Sequence, residues 1–347
     1  MKRHWMLRAA ALASALCLMG TIGGCTGSKP DAKLTQIKIG MTLYKQDDTF
    51  IATVRDHFVE AAKAREAADN VKISVNIMDA KGNQGIQNDQ VDKFLSQGYD
   101  VICVNEVDRT AASVIIDKAM AADIPAIFFN REPVSEDMQR WDKLYYVGSD
   151  PSESGMMQGN IVVNLYDADP DAVDRNGDRK IQYVMLEGEP GHQDAAIRTE
   201  YTIKTLLASN IRVDKLANDT ANWQRAQASA KTALWIEEFG DAIEVVFSNN
   251  DDMALGAIDA YRAAEIPLPV IVGIDATPPA LEAVRNGTLA GTVLNDSKGQ
   301  AQAIFEIAYA LATGKDPAET VPQLEGRYVW MPHRMVTIEN VEDALAD

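Results

Sequence analysis

His192, Asp194 and Arg198 place an imidazole, a carboxylate and a guanidinium close together in the stretch GEPGHQDAAIR. Asp194 and Arg198 are spaced i,i+4, so a helix brings them to one face. The run IQYVMLEG before them reads as a buried strand, which Gly188, Pro190 and Gly191 interrupt. Polar planar groups at the carboxyl end of a strand stand where open α/β sheets bind ligands. Each such group bonds two neighbouring hydroxyls, which suits a polyhydroxylated ligand. The same residues also read as a surface salt bridge beside a histidine.

The elements that must position these groups follow a regular alternation. Apolar runs at 37–44, 71–78, 100–105, 125–130 and 144–149 predict one series of strands, and runs at 181–186, 211–216, 243–248, 269–274 and 289–294 predict a second. Amphipathic stretches such as 50–65, 88–97 and 111–121 predict helices between them. Short, nearly all-apolar strands alternating with helices imply parallel sheets covered on both faces, and two series imply two similar α/β lobes. Strands end at Asn105, Asn130, Asn249-Asn250, Asp275 and Asn295-Asp296, and Asp47, Asp48 and Phe50 follow the first. Each is a natural helix cap or turn residue on its own. Repeated on two lobes that face each other, they make a cleft rich in amides and carboxylates.

Composition limits the function. A formal charge of −18 over 347 residues argues against a nucleic-acid footprint. Lys2, Arg3 and Arg8, the apolar run 9–20 and the small residues before Cys25 are similar to a bacterial lipoprotein leader, with Cys25 as the lipidated first residue after cleavage. An ordinary signal peptide is the alternative. Residues 26–36 read as a tether. Cys17 lies in the leader, so Cys103, within DVICVN, is the remaining thiol and is expected to be buried and inert.

The segments YKQDDTF (44–50), QNDQVDKFL (87–95), FFNREP (128–133), YYVGSDPSESG (145–155), NDTANW (218–223), IEVVFSNND (243–251) and LAGTVLND (289–296), with the 188–198 stretch, occur in one order. Together they make the chain resemble the bacterial periplasmic glucose/galactose-binding proteins, the type I periplasmic binding proteins that serve ABC transporters. The resemblance implies two Rossmann-like lobes joined by three hinge crossovers: 37–149 with 297–331, and 150–296 with 332–347. It implies that Asp48 bonds the 4-hydroxyl, where glucose and galactose differ. It implies that Phe50 and Trp223 stack on the sugar ring, whose C–H faces are apolar. Asn130, His192, Asp194, Arg198, Asn250, Asp275 and, more peripherally, Asn295 are implied to bond the remaining hydroxyls.

The run from Asp174 to Gln182, DRNGDRKIQ, spaces oxygen donors like the first nine residues of an EF-hand loop. The resemblance implies a structural Ca²⁺ held by Asp174, Asn176, Asp178, the Lys180 carbonyl, Gln182 and the distant Glu244. Arg179 stands where a turn glycine is usual, and Arg175, Arg179 and Lys180 bring three cations near. A metal-free turn is the alternative.

The expectation is thus an exported, lipid-anchored monomer, not an enzyme. It captures D-glucose and/or D-galactose by lobe closure and presents the closed form to an ABC permease. In some relatives a chemoreceptor also reads that form. A relative retuned to another small sugar is the near alternative. A glycoside hydrolase using Asp194 and Asp275 is the rival enzyme, and a ligand-responsive repressor is disfavoured because no DNA-binding helix-turn-helix precedes the lobes.

Overall fold

The computed structural model describes residues 36–346. The leader, Cys25 and nearly all of the tether lie outside the described residues. The first sheet contains β1 (Gln36–Leu43), β2 (Lys72–Asp79), β3 (Val101–Val104), β4 (Ala126–Phe129) and β5 (Leu144–Gly148). The second contains β6 (Ile181–Glu187), β7 (Val213–Thr220), β8 (Val245–Ser248) and β9 (Val270–Val272), and β10 (Thr292–Asn295), β11 (Tyr328–Trp330) and β12 (His333–Val336) follow. The first sheet runs β11-β5-β4-β3-β1-β2 and the second β7-β6-β8-β9, every pair parallel. Single parallel bridges, Val272 to Gly291 and Asp275 to Leu294, lead on to β10, which pairs antiparallel with β12.

Burial explains why these runs become strands. Every residue of β3 and β4 is buried, as a central parallel strand with helices on both faces requires. Each sheet has an apolar cluster on either side. The buried Cys103 thiol has its pKa pushed up by desolvation, in line with an inert packing role. β7 differs from the expected 211–216 run. It extends through Asn218, Asp219 and Thr220, whose polar types read as loop, because it is an edge strand. Its backbone pairs with β6, with a register shift opposite Tyr183/Val184, while several side chains face solvent.

The chain passes between the lobes three times. It crosses after β5 into the helix Pro151–Ala168, after β10 into Ser297–Ala312, and between β11 and β12. The helix Ser297–Ala312 returns to the first lobe, where Phe305 meets Phe58 edge-on at 5.6 Å. Val336 and Val341 pack in the second. At the third crossing the His333 backbone N–H donates to Glu153 Oε2 at 3.0 Å, and its ring Nδ1 lies 3.1 Å from the same oxygen.

One buried group is not accommodated by its surroundings. Glu106, just beyond β3, is fully buried and neither carboxyl oxygen has a hydrogen-bond partner among the described residues. Burial, reinforced by Asp137 and Asp108, pushes its pKa well above the ordinary value. It therefore stays protonated in the fold while the unfolded chain ionises, a stability loss that grows as pH rises above about 4.3. Glu106→Leu is expected to stabilise the protein by about 1–3 kcal/mol at neutral pH, with a smaller gain in acid. Denaturant melts of both proteins at pH 5 and pH 8 check this; equal or larger gain at pH 5 would contradict it.

Candidate functional site

The carboxyl ends of the two sheets meet across one cleft. From the first lobe, Asp48 and Phe50 follow β1 and Asn130 follows β4. From the second, His192, Asp194 and Arg198 follow β6, Trp223 follows β7 and Asn250 follows β8. Asp275 stands beyond β9, and Asn295 ends β10. All ten sequence candidates line this cavity, and Tyr44 and Ile51 complete its wall. The lobes are drawn together by the ion pairs of Glu189 with Lys45 and Arg131, and by the bond from Thr49 Oγ1 to Asp252. The enclosed space is about 30 Å³, room for one or two waters.

Three of these residues are helix caps as well. Asp48 caps Thr49–Asp69, its Oδ1 accepting the Ile51 N–H at 2.9 Å. Asn250 caps Asp251–Ala263 through the Met253 N–H at 3.0 Å. His192 caps Gln193–Ala208, with Nδ1 accepting the Asp194 N–H at 3.2 Å. That bond makes Nδ1 the acceptor and leaves Nε2 as the donor of the neutral ring. Asp48 and Asn250 thus act as helix caps and line the cleft as well, and His192, read from the sequence as a cleft or salt-bridge residue, does both too.

The other residues are held by backbone conformation and by partners behind the wall. Asn130, Trp223 and Asp275 have φ of 63°, 64° and 122°, a region that costs a non-glycine residue on the order of 1–3 kcal/mol and concentrates at functional sites. Asn130 Oδ1 accepts from Asn105 Nδ2 at 3.1 Å. Asn295 donates to Asp275 at 3.3 Å and accepts from Gln300 at 2.7 Å. Trp223 meets His192 edge-to-face at 5.2 Å. It lies so close to Gly188 that a Cβ there would stand 2.0 Å from the indole, so the strand-breaking glycine is also the seat of the ring.

The charges are buried and mutually dependent. Burial raises the pKa of Asp48, Asp194 and Asp275, the last well above its ordinary value. Arg198 opposes this for Asp194 and Asp275, and lies 3.4 Å from Asp194 Oδ2. Its Nη1 donates to the Asn249 carbonyl at 3.0 Å, while its buried Nε has no acceptor among the described residues. Burial, then Arg131 and Arg198, hold His192 well below the usual histidine range, so it is neutral at physiological pH. The cleft thus offers acceptors, a forked donor, a neutral imidazole N–H and two aromatic rings.

The 174–182 loop is a separate site. Asp174 accepts the N–H groups of Gly177, Asp178 and Arg179 at 2.9, 3.2 and 2.8 Å. Buried Glu244 reaches from the second sheet, accepting the Asn176 N–H at 3.2 Å and the Gln182 N–H at 3.0 Å. The Asn176 amide bonds Gln182 Oε1, and the Gln182 amide bonds Asp178 Oδ2, both at 2.9 Å. The structure therefore brings Asp174, Asn176, Asp178, Gln182 and Glu244 around one loop. Lys180 joins them through its N–H to Asp178. Arg179 takes the left-handed φ of 65° that its position requires, and Arg175 turns its guanidinium to the Ile243 carbonyl at 2.5 Å. Among the described residues, no three His, Cys, Asp or Glu side chains alone form a metal-holding group, so any ion here would need the amide oxygens as well.

Residues 39–316 match the periplasmic binding protein domain family. The chain belongs to this family. It is 43% identical over 310 residues to the D-galactose/methyl-galactoside binding periplasmic protein MglB of Haemophilus influenzae, covering 89% of this chain and 92% of that one. A solved ABC transporter solute binding protein from Bacillus halodurans with bound myo-inositol is 31% identical, with a TM-score of 0.75 over 91% of this chain and 99% of that chain. A solute binding protein from Actinobacillus succinogenes with bound D-allose shares the fold at 21% identity and a TM-score of 0.74, over 88% and 99% of the two chains. Members of the family are extracytoplasmic solute-binding proteins of ABC transporters, and this chain is such a sugar-binding protein rather than an enzyme.

Sequence reasoning missed Tyr44, which lines the cavity at the end of β1; only its aromatic type beside Asp48 could have marked it. Trp223→Ala is expected to weaken sugar binding by about 2–4 kcal/mol. Gly188→Ala, which leaves the indole present but displaced, should also weaken it. Calorimetric titration of both variants is the check, and parental affinity in both would make Trp223 a packing residue only.

Proposed function

We propose that the captured solute is D-glucose and/or D-galactose, delivered to an ABC sugar permease. The observation that carries this reading is the pairing of Asp48 with Phe50 and Trp223 in one buried cavity. A pyranose presents apolar C–H faces to aromatic rings and a hydroxyl to a carboxylate. Asp48 has lone pairs for either epimer of a 4-hydroxyl. Asn130, His192, Asp194, Arg198, Asn250, Asp275 and Asn295 serve the other hydroxyls, with Arg198 Nε finding its acceptor on the sugar. The similarity to a galactose-binding relative supports the same reading. The myo-inositol held by another relative favours one alternative, a different small polyhydroxylated ring.

Binding requires motion. The cleft as it stands, at about 30 Å³, is too small for a hexose, so sugar enters when the lobes part and they close over it less tightly than in this structure. Bonds to both lobes make the closed state the preferred partner of the sugar, and the closed surface is what the permease recognises. The neutral His192 removes one source of pH dependence near neutrality.

Titration of the delipidated protein with D-glucose, D-galactose, D-ribose, D-xylose and myo-inositol tests the assignment. Glucose or galactose should bind at least tenfold more tightly than the rest, a difference of about 1.4 kcal/mol. Preference for a pentose or for inositol would sink it.

We also propose that Asp174, Asn176, Asp178, the Lys180 carbonyl, Gln182 and Glu244 hold a structural Ca²⁺. The convergence of these side chains, with Arg175 turned away, supports it. The ion would tie the loop to the start of β8 and add stability without chemistry. Ca²⁺ at about 100 times its Kd should stabilise the chelated protein by about 2.7 kcal/mol, and Glu244→Gln should abolish most of that. Identical melts with and without millimolar Ca²⁺ would leave the loop a metal-free turn.

The anchor is the remaining proposal. Lipid on Cys25 holds the mature protein, a monomer, at the membrane; among the described residues no helix is long and apolar enough to cross one. Cys25→Ala should shift the protein from the membrane fraction to the soluble one, and an unmodified cysteine in the purified wild type would contradict the anchor.

A further inference from the structure

The wall of the cleft contains a chain of contacts that begins on one lobe and ends on Asp48 of the other. Glu189 follows β6 in the second lobe and pairs with two cations of the first, Lys45 and Arg131, the latter at 2.6 Å. Arg131 is almost fully buried, and its Nη1 also donates to the Val107 carbonyl at 2.8 Å. Its guanidinium carbon lies 3.8 Å from the centre of the Tyr44 ring, and Lys45 Nζ lies 5.4 Å from the same centre. The Tyr44 hydroxyl donates to Asp48 Oδ2 at 2.5 Å. The other oxygen of Asp48 is occupied by the Ile51 N–H.

We propose that Tyr44 is a positioning residue that fixes which lone pairs of Asp48 remain for the ligand, and that the Glu189–Arg131 pair locks Tyr44 in place when the lobes close. The proposal rests on the reading of Asp48 as a sugar ligand. Each Asp48 oxygen already accepts one bond, so its remaining lone pairs have defined directions. A cation over the ring face is attracted by its quadrupole and makes the phenol a stronger donor. Parting the lobes separates Glu189 from Arg131 and frees that cation. The geometry of Asp48 is therefore tightened by the same motion that encloses the sugar, and discrimination at its hydroxyl is completed in the closed state.

Tyr44→Phe removes the donor and keeps the ring. It is expected to weaken glucose and galactose binding about 10- to 50-fold. It should also change the ratio of the two affinities by about fivefold or more, because the freed oxygen reorients. The acid limb of binding should move to higher pH. Asp48 binds as a carboxylate, burial already raises its pKa, and the Tyr44 bond is one of the influences that lower it. Arg131, which also lowers it, and Asp252 and Asp275 of the opposite lobe, which face it as like charges, are the same in parent and variant. Glu189→Gln, which releases Arg131, should weaken both sugars and shift their affinity ratio in the same direction as Tyr44→Phe by a smaller factor, and an unchanged ratio there removes the locking role of the pair.

The measurement is calorimetric titration of the full chain with each sugar between pH 4.5 and 8, with a thermal melt to confirm folding. An unchanged affinity ratio together with an unchanged acid limb in Tyr44→Phe overturns the proposal, whatever the affinity. If Tyr44→Phe does not fold, Arg131→Lys replaces it. That variant keeps the charge for Glu189 and loses the planar contact with the ring, and it should move the ratio in a measurable way or overturn the proposal. Asp48→Asn separates the two readings. Loss of binding there with no effect of Tyr44→Phe removes only the positioning role, whereas full binding by Asp48→Asn removes the ligand role on which it rests.

Discussion

Asp48, Asp194 and Asp275 are buried carboxylates in one cleft, and Arg198 is the guanidinium set among the last two. Charges removed from water are costly unless each is opposed or hydrogen-bonded. The surrounding architecture answers that demand. Asp48 is bonded by a backbone N–H and a phenol, Asp275 by Asn295, and Asp194 stands beside Arg198. Asn249 and Asn105, one layer out, bond the backbone and side chains that aim these groups. A polyhydroxylated ligand completes the arrangement because it can donate to carboxylates and accept from Arg198 at the same time. On the proposed reading, the two aromatic rings in the remaining walls favour a ligand ring with apolar faces.

Much of the fold was legible because parallel strands buried on both faces have an almost unmistakable composition. DVICVN and PAIFFN contain little besides β-branched, aromatic and other apolar residues, and both became central strands. The edge strand β7 was less legible, since its outer positions carry Asp214, Lys215, Asn218 and Asp219, the types that elsewhere mark a turn. Its identity comes from pairing with β6, a non-local fact.

The cleft was legible for a related reason. Polar residues that end apolar strands are few, and each had a definite place, so the candidates converged once the sheets formed. Roles behind the wall were not legible. Tyr44 is an aromatic residue ending an apolar run, and only the folded contact with Asp48 gives its hydroxyl a task. Glu106 ends an apolar strand in the same way as Asn105 and gave no sign of being buried without a partner. In the 174–182 loop, the sequence counted three cations against a metal. It gave no direction for them, and Arg175 points to a backbone carbonyl instead of into the loop.

Asp48, His192 and Asn250 each start a helix and also line the cleft. This sharing restricts how the protein can drift toward a new nutrient. A change at any of the three disturbs a helix end, which typically carries about 1 kcal/mol, before it alters recognition. Mutational paths are cheaper through Phe50 and Asn295, which cap nothing. The diet of such a protein is therefore conserved in part by its scaffold, and lineages that change sugars should record the change in their aromatic and hinge-side positions first.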